Sequence, residues 1–381
     1  MLHQVAGGGY ATDLLLEQTA DLPSRDAGLA SQLVFGCLRY QLQLDFLIGY
    51  FSRRNPDSLD EAVRLLLRMG IFQLRYLDRV PAHAAVHEAV ELAKKHRRGA
   101  AGLINAVLRK VTRRAVRWPD PAIELSCPAW LLDRWTHHFG REQSHAIARA
   151  ALSEPAKYIR VTPGAEPPTA VAIKQTDVPG CFRVLDSSTG NLRLQDIGSQ
   201  SVIPHLDLQP GQTLLDLCAA PGNKTMQALE TPVRVIACDI SARRISEIPR
   251  VCPRVVLNAA APLPFKNCFD RVFIDAPCSG TGTLARNPEI KWRVRTEDLL
   301  RLQRTQIGIL KRGLGQLAAG GRLVYATCSL EREENEDVVR AVVADAEGAK
   351  LISEHWRLPG RDEGDGFYTA VITSNKRAVT G

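Results

Sequence analysis

Residues 213–225 read TLLDLCAAPGNKT, in which a short apolar run ends in a turn of small residues. Later segments repeat this pattern, with a nearly continuous apolar run that ends at a polar or small residue: RVIACD (234–239), RVVLN (254–258), RVFIDAP (271–277) and GRLVYATC (321–328). Continuous apolar runs, as opposed to alternating ones, are typical of parallel strands that helices cover on both faces. The pattern predicts a doubly wound α/β domain over residues 201–381.

Two further segments precede this domain. Residues 1–118 contain stretches with apolar residues three and four apart, such as LDEAVRLLLRMGIFQLRYL (59–77), which predict an all-α bundle. Residues 119–200 are richer in proline and carry short β-like pieces, YIRVT (158–162) and FRVL (182–185). They predict a small α+β connector.

Composition argues against several classes of protein. The 381 residues are 45% hydrophobic, and no apolar stretch approaches the ~18–20 residues of a membrane helix. The first residues lack the features of a secretory signal. Nine scattered cysteines then indicate reduced thiols, and the sequence has no CxxC or His-x-x-His cluster for a structural metal. We expect a cytoplasmic protein with no membrane segment and no metal.

Positive charge is concentrated in the first part of the chain. The net charge is +8, and residues 1–150 carry 20 Lys or Arg against 15 Asp or Glu. Two stretches, KKHRR (94–98) and RKVTRRAVR (109–117), contain no acidic residue. A solvated helical face is the common explanation of such runs, but a phosphate backbone is at least as good a partner.

Polar residues stand where the predicted parallel strands end, which is where open α/β sheets bind ligands. The small-residue turn lets backbone N–H groups approach a ligand. Asp239 can accept both hydroxyls of a ribose, and Asn258 can reach an adenine edge. These positions predict a nucleoside-containing cofactor, with NAD, an adenylate and S-adenosylmethionine all open. The candidate residues are Cys218, Ala219, Ala220, Pro221, Gly222, Asn223, Lys224, Asp239, Asn258 and Asp275.

Two cysteines close predicted strands at the same edge. Cys278 follows Asp275 by three residues and leads into a glycine-rich turn, whereas Cys328 leads into the acidic stretch SLEREEN. A thiolate can add to a pyrimidine and make the adjacent ring carbon nucleophilic, after which a base must remove a proton and expel the enzyme. One carboxylate and two thiols suit that chemistry. Free cysteines are more commonly inert core residues, which is our interpretation of Cys37, Cys181, Cys238 and Cys252.

Long segments resemble the signature motifs of the RNA 5-methylcytosine methyltransferases, the family that includes the bacterial Fmu/Sun proteins: LLDLCAAPGNKT, FIDAPCSGTGTLARNPEIKWR and GGRLVYATCSLEREENEDVV. SQLVFGCLRY, RVPAHAAVHEAVELAKK and INAVLRKV resemble the NusB-like RNA-binding domain of the bacterial 16S rRNA enzyme. The resemblance implies an all-α NusB-like bundle (1–118), a small α+β, RRM-like connector (119–200) and a Rossmann-like S-adenosylmethionine-dependent methyltransferase domain (201–381).

The resemblance also implies roles for matching residues. Cys328 would attack carbon 6 of the target cytosine, Cys278 would assist release of the enzyme, and Asp275 would hold or protonate the ring at N3. The turn Cys218–Lys224 would cradle the methionine part of S-adenosylmethionine, and Asp239 its ribose. The implied partner is RNA, namely 16S rRNA in the precursor of the small ribosomal subunit, and the protein is expected to be a monomer.

The sequence departs from the family pattern at two cofactor positions. Asn223 replaces a glycine, so it is expected to adopt the backbone conformation of glycine and to weaken cofactor binding. Asn258 replaces an aspartate and can still accept from adenine, without charge assistance. Two alternatives stay open: a non-catalytic RNA-binding or ribosome-assembly factor on a decayed methyltransferase fold, and the same chemistry on tRNA. Candidates for gripping a flipped base are Arg286, Lys291 and the basic bundle.

Overall fold

The chain forms two compact units in the computed structural model, which describes residues 1–113, 115–169, 171–186, 192–265 and 269–374. The first unit comprises residues 1–154 and an inserted segment, Leu284–Arg293. The second comprises residues 155–283 and the chain from Val294 onward. Arg114, in the second basic stretch, and Cys268 lie outside the described residues.

This division differs from the three predicted segments (1–118, 119–200 and 201–381) in two places. Residues 119–154 belong to the first unit, because polar groups near Ser126 bond to its N-terminal helices. The Ser126 hydroxyl accepts from the backbone N–H of Leu42 (3.1 Å), and Gln43 donates to the carbonyl of Glu124. The inserted segment, predicted as part of the α/β domain, also belongs to the first unit.

The described part of the first unit is all-helical, as predicted. Its helices are α1 (Leu2–Ala6), α2 (Ala11–Gln18), α3 (Ser24–Arg39), α4 (Gln41–Ser52), α5 (Glu61–Tyr76), α6 (Ala82–His96), α7 (Ala101–Leu108), α8 (Pro121–Glu124), α9 (Ala129–Phe139) and α10 (Arg141–Ala150). The buried residues of α5 recur three and four positions apart, so one face enters the core. Helices α3 to α7 share that core.

Side chains of the inserted segment anchor it within the first unit. Lys291 is only 1% exposed, and its ammonium donates to the carbonyls of Arg39 (2.8 Å) and Ser126 (2.6 Å). The Trp292 indole donates to the carbonyl of Leu38 (2.8 Å). Because its ammonium is enclosed by bundle carbonyls, the prediction that Lys291 grips a flipped base is wrong.

The second unit begins with a small antiparallel sheet. It contains β1 (Lys157–Arg160), β2 (Ile173–Gln175) and β3 (Cys181–Val184) in the order β1-β3-β2. The predicted pieces YIRVT and FRVL form β1 and β3, with Ile159 opposite Phe182. This sheet supplies the strands that were expected in the α+β connector.

A seven-stranded sheet follows, in the order β6-β5-β4-β7-β8-β10-β9. Its strands are β4 (Thr213–Asp216), β5 (Arg234–Asp239), β6 (Arg254–Val256), β7 (Phe269–Asp275), β8 (Leu317–Thr327), β9 (Ala349–Arg357) and β10 (Phe367–Ser374). Strands β4 to β8 pair in parallel, and β10 is antiparallel to β8 and β9. The chain reverses its direction of winding between β4 and β7, so the expected ligand crevice lies at their carboxyl ends.

Helices cover both faces of this sheet, which confirms the doubly wound fold. One face packs on Ile309, Leu310 and Val339, and the opposite face on Val202, Leu206 and Ala228. The remaining helices are α11 (Ile197–Val202), α12 (Asn223–Ala228), α13 (Ala242–Ile245), α14 (Ile290–Arg293, in the inserted segment), α15 (Thr296–Gly315) and α16 (Glu336–Asp345). None of the described helices is long and apolar enough to span a bilayer.

Candidate active site

The predicted polar residues gather at the carboxyl edge of the seven-stranded sheet. Parallel pairing places Asp216 beside Ala237 of β5 and Phe273 of β7, and Asp275 beside Ala326 of β8. The loops that leave β7 and β8 therefore emerge side by side, and they carry the two predicted thiols.

The turn after β4 approaches its neighbours closely. Gly222 has φ +103°, and a Cβ there would lie 2.8 Å from the Ile248 side chain, so the turn requires glycine at this position. Asn223 is the first residue of α12. The prediction that Asn223 takes a glycine-like backbone conformation is therefore wrong, because the positive φ falls one residue earlier. The Asn223 side chain instead accepts from the Arg193 guanidinium (2.9 Å from Nε).

Asp239 is held firmly at the end of β5. Its Oδ2 accepts from the backbone N–H of Ala220 (3.1 Å) and its Oδ1 from that of Ser241 (2.9 Å). Each oxygen keeps a lone pair for a ligand hydroxyl. Ile240, which sequence reasoning missed, is 70% exposed and offers an apolar surface beside this carboxylate. Asn258 is exposed, and its Oδ1 accepts from the N–H of Ala260 (3.0 Å).

A cleft lies next to this turn. Its lining includes most of the predicted cofactor residues: Cys218, Ala219, Ala220, Pro221, Asn223, Lys224 and Asp275. Gly222, Asp239 and Asn258 are outside that lining.

Asp216 also lines the cleft, and sequence reasoning missed it. It is fully buried, and Oδ2 accepts from the Thr225 hydroxyl (2.7 Å), whereas Oδ1 accepts no hydrogen bond of normal geometry from any residue that the structure describes. Burial raises the pKa of Asp216 to about 7, although the Thr225 hydrogen bond opposes the rise. An unsatisfied buried acceptor fits a ligand that brings an ammonium group. The sequence pattern could have identified Asp216, because this residue ends a predicted strand, as Asp239 and Asp275 do.

Lys224 and Asp275 form an ion pair beside the cleft, with 2.7 Å between Nζ and Oδ2. Burial lowers the pKa of Lys224, but the neighbouring carboxylate of Asp275 outweighs that effect, and the pKa is raised overall. The ammonium also lies 5.1 Å from the centre of the Phe367 ring. Asp275 therefore faces a charged hydrogen-bond donor.

The two predicted thiols are in contact. The sulfurs of Cys278 and Cys328 are 3.4 Å apart, and both residues are free cysteines at intermediate exposure. The hydrogen bond to Cys328 and burial raise the pKa of Cys278 well above its usual value. Either sulfur can donate to the other, so the contact allows a proton to pass between the two thiols.

Backbone contacts join the loops that carry the thiols. The N–H of Gly282 donates to the carbonyl of Cys328 (2.8 Å), and the N–H of Leu330 donates to the Thr281 hydroxyl (2.9 Å). A Cβ on Gly282 would lie 2.4 Å from the carbonyl oxygen of Gly366, so only glycine permits this approach.

Three of the cysteines that were interpreted as core residues are deeply buried. Burial raises the pKa of Cys37 and of Cys238 to about 12 and that of Cys181 to about 11. These side chains are at most 2% exposed, as expected of inert core residues. Burial also raises the pKa of Cys252, which is partly buried.

The basic stretches of the first unit are exposed but partly neutralised. Arg97 pairs with Asp60 (3.1 Å), and Lys94 pairs with Glu91 (2.7 Å). Five exposed basic side chains have no acidic partner in an ion pair within the described residues of both stretches: Lys95, Arg98, Arg109, Lys110 and Arg117.

Two family models match the chain. Residues 203–373 match 16S rRNA methyltransferase RsmB/F, and residues 4–113 match the NusB family. The ribosomal RNA small subunit methyltransferase B of Escherichia coli O1:K1 / APEC is 34% identical to this chain, and the match covers 97% of this chain and 95% of the relative. The probable ribosomal RNA small subunit methyltransferase B of Bacillus subtilis (strain 168) is 31% identical over 375 residues, covering 87% and 84%.

Solved structures share the fold. The crystal structure of PH0851 matches with a TM-score of 0.78 at 20% identity, over 94% of this chain and 93% of that one. A methyltransferase homologue from Pyrococcus horikoshii matches with a TM-score of 0.58 at 23% identity, over 68% and 100%. These likenesses confirm the predicted Rossmann-like fold, and the sequence relatives span almost the whole chain. The chain therefore belongs to the 16S rRNA methyltransferase RsmB/F family and carries a NusB-family domain ahead of its methyltransferase domain.

Proposed function

We propose that this chain transfers a methyl group from S-adenosylmethionine to carbon 5 of a cytosine in 16S rRNA. The contact between the sulfurs of Cys278 and Cys328, beside Asp275, carries the proposal. A pyrimidine carbon is a poor nucleophile until a thiolate adds to the neighbouring carbon, and two adjacent thiols can make and then break that bond. The names of the E. coli and B. subtilis relatives support ribosomal RNA as the substrate.

The cleft residues fit the proposed cofactor. The unsatisfied Oδ1 of Asp216 would accept from the ammonium of its methionine part, and the turn Cys218–Lys224 would enclose that part. Asp239 would bind the ribose, with Ile240 and Asn258 near the adenine. When bound, S-adenosylmethionine supplies an electrophilic methyl group.

Cys328 begins the reaction by adding to carbon 6 of the cytosine. As the new S–C bond forms, electrons move toward ring N3, where the Asp275–Lys224 pair can supply a proton. The enamine electrons would then bond carbon 5 to the methyl group that S-adenosylmethionine supplies, while the bond from that methyl group to the sulfonium sulfur breaks, and N3 would return its proton to the pair. The pair offers both roles, since the Asp275 carboxylate can accept from a protonated N3 and the Lys224 ammonium can donate to an unprotonated one.

Cys278 completes the reaction by releasing the enzyme. It lies 3.4 Å from Cys328, so it can give its S–H proton to the departing sulfur and then take the proton from carbon 5. The C–S bond breaks, the ring double bond re-forms and both thiols end protonated. Loss of one proton to solvent restores the starting state.

The test uses Cys328→Ala and Cys278→Ala in the full chain. With 16S rRNA and labelled S-adenosylmethionine, Cys328→Ala should lose methyl transfer by more than a thousandfold, because no covalent adduct can form. Cys278→Ala should accumulate an RNA-linked protein band on denaturing gels, because the adduct forms and is not released. Cys252→Ala, a thiol outside the pair, is the control.

Two results would contradict the proposal. Normal turnover by Cys328→Ala would exclude this nucleophile. Absence of heat on titration with S-adenosylmethionine would favour the alternative of a non-catalytic assembly factor. Bisulfite mapping of rRNA and tRNA from cells lacking and regaining the chain would separate the two RNA substrates.

A further inference from the structure

A buried carboxylate joins the loops that carry the two thiols. Glu334 is fully buried, and its Oε1 accepts from the backbone N–H of Ser279 (2.9 Å), the residue after Cys278. Its Oε2 accepts from the hydroxyl of Ser279 and from that of Ser329, the residue after Cys328. One side chain therefore holds the neighbours of both thiols.

The partners of this carboxylate are unusual because they are neutral. Gln306 donates to Oε1 (2.9 Å), and within the described part of the chain no lysine or arginine pairs with Glu334. Burial raises the pKa of Glu334, although its hydrogen bonds favour the ionised form. A buried acid without a cation is costly, so its retention calls for a role beyond packing. A carboxylate can accept several hydrogen bonds at once, whereas a glutamine offers one acceptor oxygen.

We propose that Glu334 is a positioning residue that sets the distance between the sulfurs of Cys278 and Cys328. This inference rests on the proposed function and extends it. Proton exchange between the sulfurs needs them in contact, and a misplacement of 1 Å can cost about a hundredfold in rate. The acidic stretch after Cys328 thus contributes Glu334, and this side chain joins the two loops that carry the thiols.

Glu334 also acts on the thiols through its charge. Its carboxylate is one of the groups that raise the pKa of Cys278, after the hydrogen bond to Cys328 and burial. Neutralising it should make Cys278 easier to ionise, an effect that loss of packing alone would not produce. The contacts of Gly282 and Leu330 with the partner loop are the competing explanation, since they could hold the thiols without the carboxylate.

The first test measures geometry without any methyl transfer. Diamide takes two electrons and two protons from two thiols, and the disulfide forms quickly only when the sulfurs are close. In the full chain, with the rates compared at equal ionisation of Cys278, mass spectrometry should show the Cys278–Cys328 disulfide forming about ten times more slowly in Glu334→Gln than in wild type. Glu333→Gln, the adjacent acid, should match wild type.

The second test measures charge and turnover. The pH of half-maximal alkylation of Cys278 by iodoacetamide should fall in Glu334→Gln, and kcat should drop at least tenfold while KM for S-adenosylmethionine stays within twofold. If wild type transfers no methyl group, the proposed function fails, and the disulfide and alkylation rates still decide the role of Glu334.

The inference would be overturned if Glu334→Gln formed the disulfide and transferred methyl groups at the same rates as wild type. If that variant does not fold, the Ser279→Ala/Ser329→Ala double variant decides instead, since it keeps the acid and removes both hydroxyl donors. Slower disulfide formation in the double variant supports the positioning role, and an unchanged rate refutes it.

Discussion

Two ionisable residues in the cleft, Asp216 and Lys224, differ in what balances the charge of their ionised forms. Lys224 has Asp275 as a partner, so its pKa is raised in spite of burial. Asp216 has a hydroxyl partner on one oxygen, and burial brings its pKa to about 7. At neutral pH the Asp216 carboxyl is therefore close to its midpoint, and a bound cation would favour its ionised form.

Asp216 should make stability depend on pH. Its pKa is about 7 in the folded chain and near 3.8 when unfolded, so the folded state keeps a proton that the unfolded state has lost between these values. The stabilising contribution is complete below the unfolded value and disappears as pH rises through about 7. Asp216→Asn cannot titrate, so its free energy of unfolding relative to wild type should increase from pH 4 to pH 8, by up to about 4 kcal/mol.

Urea unfolding across this pH range measures the Asp216 effect. Asp207→Asn, the same change at an exposed position, should run parallel to wild type. Calorimetry should also show weaker S-adenosylmethionine binding by Asp216→Asn. A constant difference between variant and wild type at all pH values would contradict the assignment.

Among the elements, the strands were the most predictable. Strands β4, β5, β7 and β8 are covered on both faces, so their runs are apolar throughout and stand out in the sequence. Cys278, Cys328 and Asp275 followed from the rule that the carboxyl ends of parallel strands share one edge.

Other features depended on contacts that local sequence does not encode. Lys291 was predicted to be available to a flipped base, yet bundle carbonyls distant in sequence bury its ammonium. The φ of Asn223 depended on which residue of Gly222-Asn223 begins α12. The partners of Glu334 come from three different segments, so the acidic stretch alone could not distinguish it from its neighbours.

The start of α12 gives a prediction about Asn223. Its backbone is helical, so Asn223→Gly should relieve no strain, and the Kd for S-adenosylmethionine should stay within about threefold of the wild-type value. The contact with Arg193 should be lost, and glycine in a helix costs up to about 1 kcal/mol of stability. Calorimetric titration and thermal unfolding measure both effects. Binding that becomes ten times tighter would show that Asn223 hinders the cofactor.

For the whole molecule, the inserted segment makes the two units depend on each other through chain connectivity. The chain leaves the second unit after Thr283, in the loop that follows Cys278, and returns to it at Val294. The first unit therefore needs ten residues from the middle of the methyltransferase sequence to complete its packing. The contacts that this segment makes within the first unit can form only once the chain has reached residue 293.

Because Lys291 is buried in this packing, it should make the free energy of unfolding depend on pH. Burial lowers its pKa to about 7, whereas the unfolded side chain titrates near 10.5. Its stabilising contribution is complete above the unfolded value and is lost as pH falls through about 7, because the folded chain must then bury a charge.

Lys291→Met keeps the length but leaves the carbonyls of Arg39 and Ser126 without donors, which costs about 1–3 kcal/mol each. The variant should therefore be clearly less stable than wild type at pH 9.5, and the gap should narrow by about 3 kcal/mol at pH 6.5. Urea unfolding followed by circular dichroism measures the gap, and Lys311→Met, at a half-exposed lysine, is the control. A gap that is the same at both pH values would mean that Lys291 stays charged in the folded chain.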